Sequence, residues 1–516
     1  MQRSSHQSSR GHVVMLVRNG VESDSRVQKQ AESAAAAGWR VTLVGLKLYT
    51  SKVSRWNIGD AEVRLVPLGD NAFVHRARRR RSARRMLAYP GGPTTAYRKG
   101  VVEYRRQVLL ARLGQLAVAR RSGAVWRARA GHLALCPSRI ALKVLRPWVR
   151  LREEERHRLE VARASEKALL TRFHVWFRTT FWGDRSWRYL DPAILDLELA
   201  FGPVIDKLRP DIIHANDFHT IGVGARAKMR AALRGRSIKL VWDAHELVSG
   251  VVAPPGRPRW LAAQIAHERE FAPYADAVIT VSPMLADLLQ ANHRLTTRPT
   301  VVLNAPKVSV DTDDAPDLRS LCGLDDTTPV LAYSGAIARQ RGLHVAIDAL
   351  PQLPGVHLVL LSLAPDRTRA AADALEAQAA ALGVADRLHL LPYLPHHQVV
   401  PFLSGANAAI SPLEHTPNHE VALTNKSFEY AHAGLPQVVS DVRSAADMVR
   451  ATGIGEVFRA GDVDDFARAA RAVLEDPARY RAGYDKPGLL DEWTWERQSA
   501  ILDAVYGGVL EVAPTA

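Results

Sequence analysis

His12-Val-Val-Met-Leu-Val17, Ser25-Arg-Val-Gln28 and Arg40-Val-Thr-Leu-Val-Gly45 are the three stretches that decide the fold of this chain. The first is a short apolar run with the length of a buried strand. A polar loop, Arg18–Asp24, follows it. Ser25 and Gln28 then have the spacing of a capping box, which predicts a helix closing at Gly38. Arg40–Gly45 is a second apolar run. Strand, helix and strand within about 35 residues make a βαβ unit, and two strands joined by a helical crossover run parallel.

The same alternation returns further along. Strands are predicted at Asp211–His214, Ile238–Trp242 and Ala277–Val281, the last followed by Ser282-Pro283, an N-cap with proline in the first turn. Val301–Leu303 is another short strand, closing at Asn304-Ala305-Pro306, and the polar stretch Asp311–Asp317 reads as a linker. A second series follows at Pro329–Ser334, Val356–Leu361, Arg387–Leu391, Ala408–Ser411 and Gln437–Ser440. The class is therefore α/β, with two Rossmann-like domains whose parallel sheets face a cleft. Residues 1–305 form the first domain, 306–490 the second, and a last helix in 491–516 is placed to cross back to the first. Open parallel sheets bind ligands beyond the carboxyl ends of their strands.

Between Asn71 and Leu190 the alternation stops. This stretch has helical composition and reads as an insertion, 71–190, in the first domain. It holds 29 Lys+Arg and 7 Asp+Glu, a net of +22. The whole chain is +16, so the remaining residues sum to −6. The basic character therefore belongs to one segment and describes that segment's partner rather than the fold. Cys136 and Cys322 are the only cysteines of 516 residues and build neither a disulfide framework nor a metal-ligand spacing. No run approaches the roughly 18 apolar residues of a spanning helix, and Met1–Arg10 lacks the apolar core of a signal peptide. These features predict a cytoplasmic protein.

Several short motifs occur in a fixed order. Asp24-Ser-Arg-Val27 follows the first strand. Asp211-Ile-Ile-His-Ala-Asn-Asp217, Trp242-Asp-Ala-His-Glu246, Ala275-Asp-Ala-Val-Ile-Thr-Val-Ser282 and Asn304-Ala-Pro306 complete the first domain. Ser334-Gly335 through Arg341-Gly342, and Asn425-Lys-Ser-Phe-Glu-Tyr430 with Ala433-Gly-Leu-Pro436, stand in the second. Together, over roughly residues 12–70 and 205–505, the chain resembles the family-four retaining glycosyltransferases of the GT-B fold. The resemblance implies transfer of a sugar from a nucleoside diphosphate to an acceptor with retention of configuration, by front-face attack. No metal is required and no cofactor is implied beyond the nucleotide sugar.

The resemblance also implies roles for particular residues. Glu429 takes the ribose hydroxyls, since one carboxylate can accept from two vicinal hydroxyls. Asn425 and Lys426 open its helix beside the phosphates, where backbone N–H groups favour anions. Arg339 and Arg341, with Gly335, follow the first strand of the second domain, and Arg341 fills the position that meets the leaving diphosphate. His245 is the active-site histidine touching the donor sugar; a buried structural histidine between Asp243 and Glu246 is the alternative. Asn19, Gly20, Arg26, Asp217 and His219 are placed on the acceptor side, with Arg26 either meeting a phosphate or lying on its helix surface.

Two positions depart from the family pattern. Val421 stands where a second glutamate is usual, with Glu420 one place off, and Ala336 stands where an arginine is usual. Asp462-Val-Asp464 has a metal-binding spacing used by another fold and more simply caps a helix. A nucleotide-sugar epimerase shares this architecture, and a non-catalytic scaffold is the alternative of a different class.

The insertion interleaves arginines, densest at His75–Arg85, with Trp126, Trp148, Trp176, Trp182 and Trp187. Tryptophan prefers the membrane interface and clustered cations attract anionic lipid. Nucleic acid would use the same residue types and is the less favoured partner. The reading is a peripheral enzyme on the inner membrane face, working on a glycan or lipid-linked acceptor in cell envelope polysaccharide biosynthesis.

Overall fold

The structure, a computed structural model, describes residues 10–22, 24–47, 54–68, 87–89, 94–164, 169–254, 257–308, 314–362 and 365–511. The arginine cluster His75–Arg85 and part of the linker Asp311–Asp317 lie outside the described residues. The chain forms two compact units. One comprises Met1–Leu68, Leu197–Val251 and His267–Ala516, the other Gly69–Asp196 and Val252–Ala266.

The first unit holds two sheets. The first sheet contains β1 (His12–Leu16), β2 (Arg40–Lys47), β3 (Ser54–Ile58), β4 (Ala61–Pro67), β5 (Ile212–Asn216), β6 (Lys239–Asp243), β7 (Ala277–Thr280) and β8 (Thr300–Val301). Their order across the sheet is β3-β4-β2-β1-β5-β6-β7-β8. All pairings are parallel except β3 with β4. The central strands are buried along their length, as β1 and β5 show; a strand covered on both faces reads as a continuous apolar run, which is why these were visible in the sequence. The hairpin β3–β4 was not expected. Its outer strand alternates half-buried and exposed positions, with Arg55 and Asn57 turned out, and so presents the half-polar pattern of an edge.

The second sheet contains β9 (Val330–Ser334), β10 (His357–Ser362), β11 (Leu388–Pro392), β12 (Ala408–Ser411), β13 (Gln437–Ser440) and β14 (Gly455–Phe458), in the order β11-β10-β9-β12-β13-β14. All its pairings are parallel. The last helix, Trp495–Glu511, returns to the first sheet. Trp495, Leu502, Tyr506 and Val509 share a core with Val13, Val27 and Val241, and the Tyr506 hydroxyl hydrogen-bonds the buried His214 ring.

The helix after β1 runs from Ser25 to Ala36, and its cap is Asp24, which accepts from the Val27 N–H. Ser25 is thus the first helical residue and not the cap. Gln28, expected to close the box, instead donates to the carbonyls of Val21 and Glu22 at 2.9 Å each. Arg26 also departs from expectation. It lies neither on the acceptor side nor on the helix surface but is buried, giving Nε to Asp243 Oδ2 at 2.8 Å, Nη2 to Oδ1 at 3.0 Å, and Nη1 to the Val302 carbonyl at 2.9 Å. Gln30 adds a bond to Asp243 at 2.6 Å.

The carboxyl ends of the two sheets meet through loop contacts. Leu247 N–H donates to Asn418 Oδ1 at 2.7 Å. Ser282, the N-cap of helix Pro283–His293, also donates its hydroxyl to the Val421 carbonyl. Asp462 caps the helix Val463–Glu475 by accepting from Asp465 N–H.

The second unit is helical in its described part, with Thr94–Arg121, Val125–Ala134, Cys136–Ala164 and Leu169–Trp182 as its main elements. Its interior is lined by few large side chains, among them the buried Trp187.

Removing one partner of a buried ion pair leaves the other charge uncompensated, at a cost of about 3–5 kcal/mol. Asp243→Ala is therefore expected to lower the urea midpoint of unfolding strongly. Asp287→Ala, which removes a surface partner of Arg298, should leave the midpoint nearly unchanged. Equal midpoints for the two variants would refute the role given to Asp243.

Candidate active site

In the second sheet the site is built where β9 ends, at Tyr333-Ser334-Gly335. Gly335 has φ +133°, and a Cβ there would stand 3.3 Å from Lys426 Nζ and 3.4 Å from the Tyr333 hydroxyl. The glycine leaves room for the lysine to approach the backbone. Lys426 is the second residue of helix Asn425–His432. It is only 7% exposed, and its ammonium lies 3.9 Å from the centre of the Tyr333 ring, close enough for a cation–π contact. Among the described residues its Nζ has no hydrogen-bond partner.

Arg341 closes the turn Arg339–Arg341. The next residue, Gly342, has φ +69°, and a Cβ on it would fall 1.7 Å from the Pro412 carbonyl oxygen. No other residue fits, so Gly342 fixes where Arg341 is presented. Burial first, and then the charge of Arg341, push the Lys426 pKa well below its usual value, with Glu429 opposing. Arg339 is exposed, and Arg341 is the arginine whose charge acts on the lysine. The helix start adds partial positive charge: Thr424 is its N-cap and makes no side-chain cap bond. Asn425 is the first residue of that helix.

Glu429 lies one turn along the same helix and accepts from the Ser334 hydroxyl at 3.1 Å. Burial raises its pKa, while the Ser334 bond, Lys29 and Lys426 favour its charge. Tyr430 pins the end of β9 from beneath, its hydroxyl accepting from Ser334 N–H at 3.0 Å and donating to the Ile410 carbonyl at 3.2 Å.

The first sheet supplies the other half. His245 follows β6 by two residues, about a quarter exposed, with Nδ1 3.9 Å from Asp243 Oδ1. Burial lowers its pKa, but Asp217 and Asp243 outweigh it and hold the ring above its ordinary value. Asp217 begins helix Asp217–Ala232 with φ +68°, a left-handed conformation that is uncommon off glycine and clusters at functional sites. Its carboxylate accepts from Phe218 N–H at 2.7 Å and pairs with His219 Nδ1 at 2.9 Å. Arg18, from the loop after β1, reaches the other nitrogen of His219. Burial and Asp217 raise the pKa of Glu246.

The loop after β1 differs in detail from expectation. Asn19 braces it, donating to Asp24 at 2.7 Å and accepting from Val21 N–H at 2.8 Å. The left-handed residue is Val21, at φ +73°, and not Gly20.

Glu420 pairs with His415 and accepts from Arg443 N–H at 2.9 Å, while Val421, at the position where a second glutamate is usual, is buried.

Three further residues were not anticipated. Ser334 positions Glu429. Lys29 of the first sheet's helix lies near enough to Glu429 to interact, while burial holds its pKa at about 7. His419 bonds the Glu414 carbonyl at 2.7 Å, with its pKa lowered by burial and then by Arg341 and Lys426. Ser334 stands at a strand end and was within reach of a sequence argument. Lys29 and His419 carry no local signal. Among the described residues, no group of three or more His, Cys, Asp or Glu is gathered so that it could hold a metal ion.

Comparison with known proteins agrees with this layout. Residues 144–306 match the family described as Glycosyltransferase Family 4, and residues 316–486 match Glycosyl transferases group 1. The chain is 31% identical to a glycogen synthase of Mycobacterium tuberculosis over 179 residues, 34% of this chain and 42% of that protein. It thus spans less than half the length of that relative. It is 28% identical to an alpha-maltose-1-phosphate synthase of Mycolicibacterium smegmatis over 341 residues, 60% of this chain and 82% of that one. A sucrose-phosphate synthase from Thermosynechococcus elongatus superimposes with a TM-score of 0.60 at 16% identity, covering 98% of this chain and all of that one. The fold is GT-B, with two parallel-sheet domains. The chain belongs to the family-four glycosyltransferases.

A depressed lysine pKa makes a simple prediction for anion binding. Inorganic pyrophosphate beside Lys426 favours the charged ammonium, so the bound pKa exceeds the free one and binding takes up a proton between the two. Affinity should fall as pH rises through that window. Calorimetry in buffers of different ionisation enthalpy should register the uptake, and Lys426→Met should abolish it. Uptake that persists in the variant would place the titrating group elsewhere.

Proposed function

We propose that this protein is a retaining glycosyltransferase that moves a sugar from a nucleoside diphosphate to an acceptor hydroxyl. The observation that carries the reading is the pair Arg341 and Lys426. Lys426 lies at a helix N-terminus within reach of the Arg341 charge, and the nearby carboxylate, Glu429, is held by Ser334. Like charges repel, so such a pair is costly alone and is relieved by a multiply charged anion. A leaving diphosphate gains charge in the transition state, and cations fixed in advance stabilise it more than they stabilise the bound donor.

The remaining roles follow from position. Glu429 accepts the ribose hydroxyls, with Lys29 nearby to favour its charge. Asn425 and Gly335 line the phosphate approach. His245, kept basic by Asp217 and Asp243, faces the donor sugar. Asp217, His219, Asn19 and Gly20 lie on the acceptor side. In the front-face mechanism the departing phosphate oxygen takes the acceptor proton while the new glycosidic bond forms on the face that the leaving group vacates. The protein then contributes positioning and charge, with no metal. The names of the relatives support sugar transfer: glycogen synthase, alpha-maltose-1-phosphate synthase and sucrose-phosphate synthase. A solved E. coli structure of similar fold, trehalose-6-phosphate bound with UDP-2-fluoro glucose, superimposes with a TM-score of 0.57 at 12% identity.

The acceptor in this reading is a glycan or lipid-linked molecule at the cytoplasmic membrane face. The support is the basic second unit, whose exposed Trp126, Trp148 and Trp176 accompany the net +22 of residues 71–190.

Glu429→Ala is expected to weaken binding of a nucleoside diphosphate by at least tenfold while leaving the fold intact, since a hydrogen bond to a charged group contributes roughly 1.5–3 kcal/mol. Unchanged calorimetric affinity would remove Glu429 from the donor site. Arg341→Ala should lower the rate of donor hydrolysis in the absence of acceptor more than it lowers donor affinity. A change confined to KM would make Arg341 a uniform binder. Conversion of the nucleotide sugar to its epimer without any acceptor would replace transfer by epimerisation.

A further inference from the structure

Helix Cys136–Ala164 of the second unit has three distinct sides. One is packed: Val149 is buried, Arg152 donates to the Leu87 carbonyl at 3.0 Å, and Arg156 bonds Thr95 at 2.8 Å. A second side is apolar and exposed. Ile140, Val144, Trp148 and Leu151, at helical spacing, are 63%, 62%, 44% and 45% exposed. The third side, between them, carries Lys143, Arg146 and Arg150, all exposed.

An apolar stripe left in water beside a rank of cations is the pattern of a helix that lies in a lipid interface. The side chains then divide by depth. The stripe enters the acyl boundary, the tryptophan sits at headgroup level, and the cations meet phosphates above it. The helix is not a spanning one: no helix among the described residues is long and apolar enough to cross a membrane. A second exposed apolar face lies on helix Leu169–Trp182, where Leu169, Leu170, Phe173 and Trp176 are turned outward, while Thr171 is the buried residue.

We propose that the stretch Arg139–Leu151 is the element that seats this protein on an anionic phospholipid surface, with Val144 and Trp148 inserted and Lys143, Arg146 and Arg150 on the headgroups. Charge selects the occupant. The apolar stripe alone would suit a protein partner equally, but the three adjoining cations, within a segment of net +22, call for a dense anionic plane. The proposal rests on the membrane reading given above and names the helix that carries it.

The test uses the full chain and sedimentation with vesicles of phosphatidylcholine, with and without phosphatidylglycerol, at low and high salt. The unaltered protein should bind only the anionic vesicles and release them in high salt. Lys143→Gln with Arg146→Gln and Arg150→Gln should weaken binding roughly a hundredfold at low salt. Val144→Ser with Trp148→Ser should weaken it at least tenfold. Leu233→Ser, an exposed leucine of the first unit, should change nothing. Trp148→Phe should lose the part of the fluorescence quenching that brominated lipid causes in the unaltered protein. If the unaltered protein binds anionic vesicles and the helix variants bind equally well, the membrane reading stands and this helix is not the seat. If the unaltered protein ignores anionic vesicles, both readings fall. Salt-sensitive binding to RNA in place of vesicles would assign the cations to nucleic acid. A self-association abolished by Val144→Ser with Trp148→Ser would assign the stripe to a second copy of the chain.

Discussion

Asp243 carries a negative charge at the carboxyl end of β6, in the interior of the first sheet, and much of the molecule is arranged around it. Burial works against the charge, yet the Arg26 guanidinium, and after it the His214 ring, hold its pKa well below the usual carboxylate range. Arg26 comes from the helix after β1, and Gln30 of the same helix adds its amide. His214 comes from β5 and is itself bonded by Tyr506 of the last helix. One carboxylate thereby joins the first helix, two neighbouring strands and the chain's final helix. A buried pair of this kind is weak evidence for net stability, because desolvation offsets the attraction. Its effect is to fix register. It also has a second consequence, since after Asp217 the same charge helps hold the His245 ring above its ordinary pKa two residues later.

The second sheet follows the opposite logic. In the first sheet a buried cation is matched by an anion. At the end of β9, Arg341 and Lys426 stand together with their charges only partly offset by Glu429. The backbone enforces this. Gly342 cannot be replaced without striking Pro412, and Gly335 makes room for the lysine. Tyr333 gives Lys426 a ring face in place of a carboxylate. In the proposed function a departing diphosphate would supply the negative charge that this end of the sheet lacks. The contacts Leu247–Asn418 and Ser282–Val421 tie the two strand-end regions together.

The helical unit obeys a third rule. Its helices keep few large side chains inside and turn many outward, where a protein that worked only in water would show polar ones. Cations are set against the apolar stripe on a single helix. That arrangement is the ground of the membrane proposal.

The sequence by itself determined the elements that have a strong local cause. Strands buried on both faces are continuous apolar runs, so β1, β5, β9, β12 and β13 were legible, as was the Ser282-Pro283 helix start. Motif order made the family legible, and Arg341, Lys426, Glu429 and His245 could be named from it. The tertiary structure alone decided the rest. Hairpin β3–β4 was hidden because an edge strand is half polar. Arg26 could not be placed, because nothing local tells a helix arginine that its partner is a carboxylate 217 positions away. The partners of Glu420, His415 and the Arg443 N–H, could not be read from the sequence. Lys29 and His419 have ordinary neighbours in sequence and acquire their shifted pKa values only from groups brought near by folding. Periodicity and capping act over a few residues and are written in the chain, whereas charge pairing and desolvation act through space and exist only once the sheets have closed.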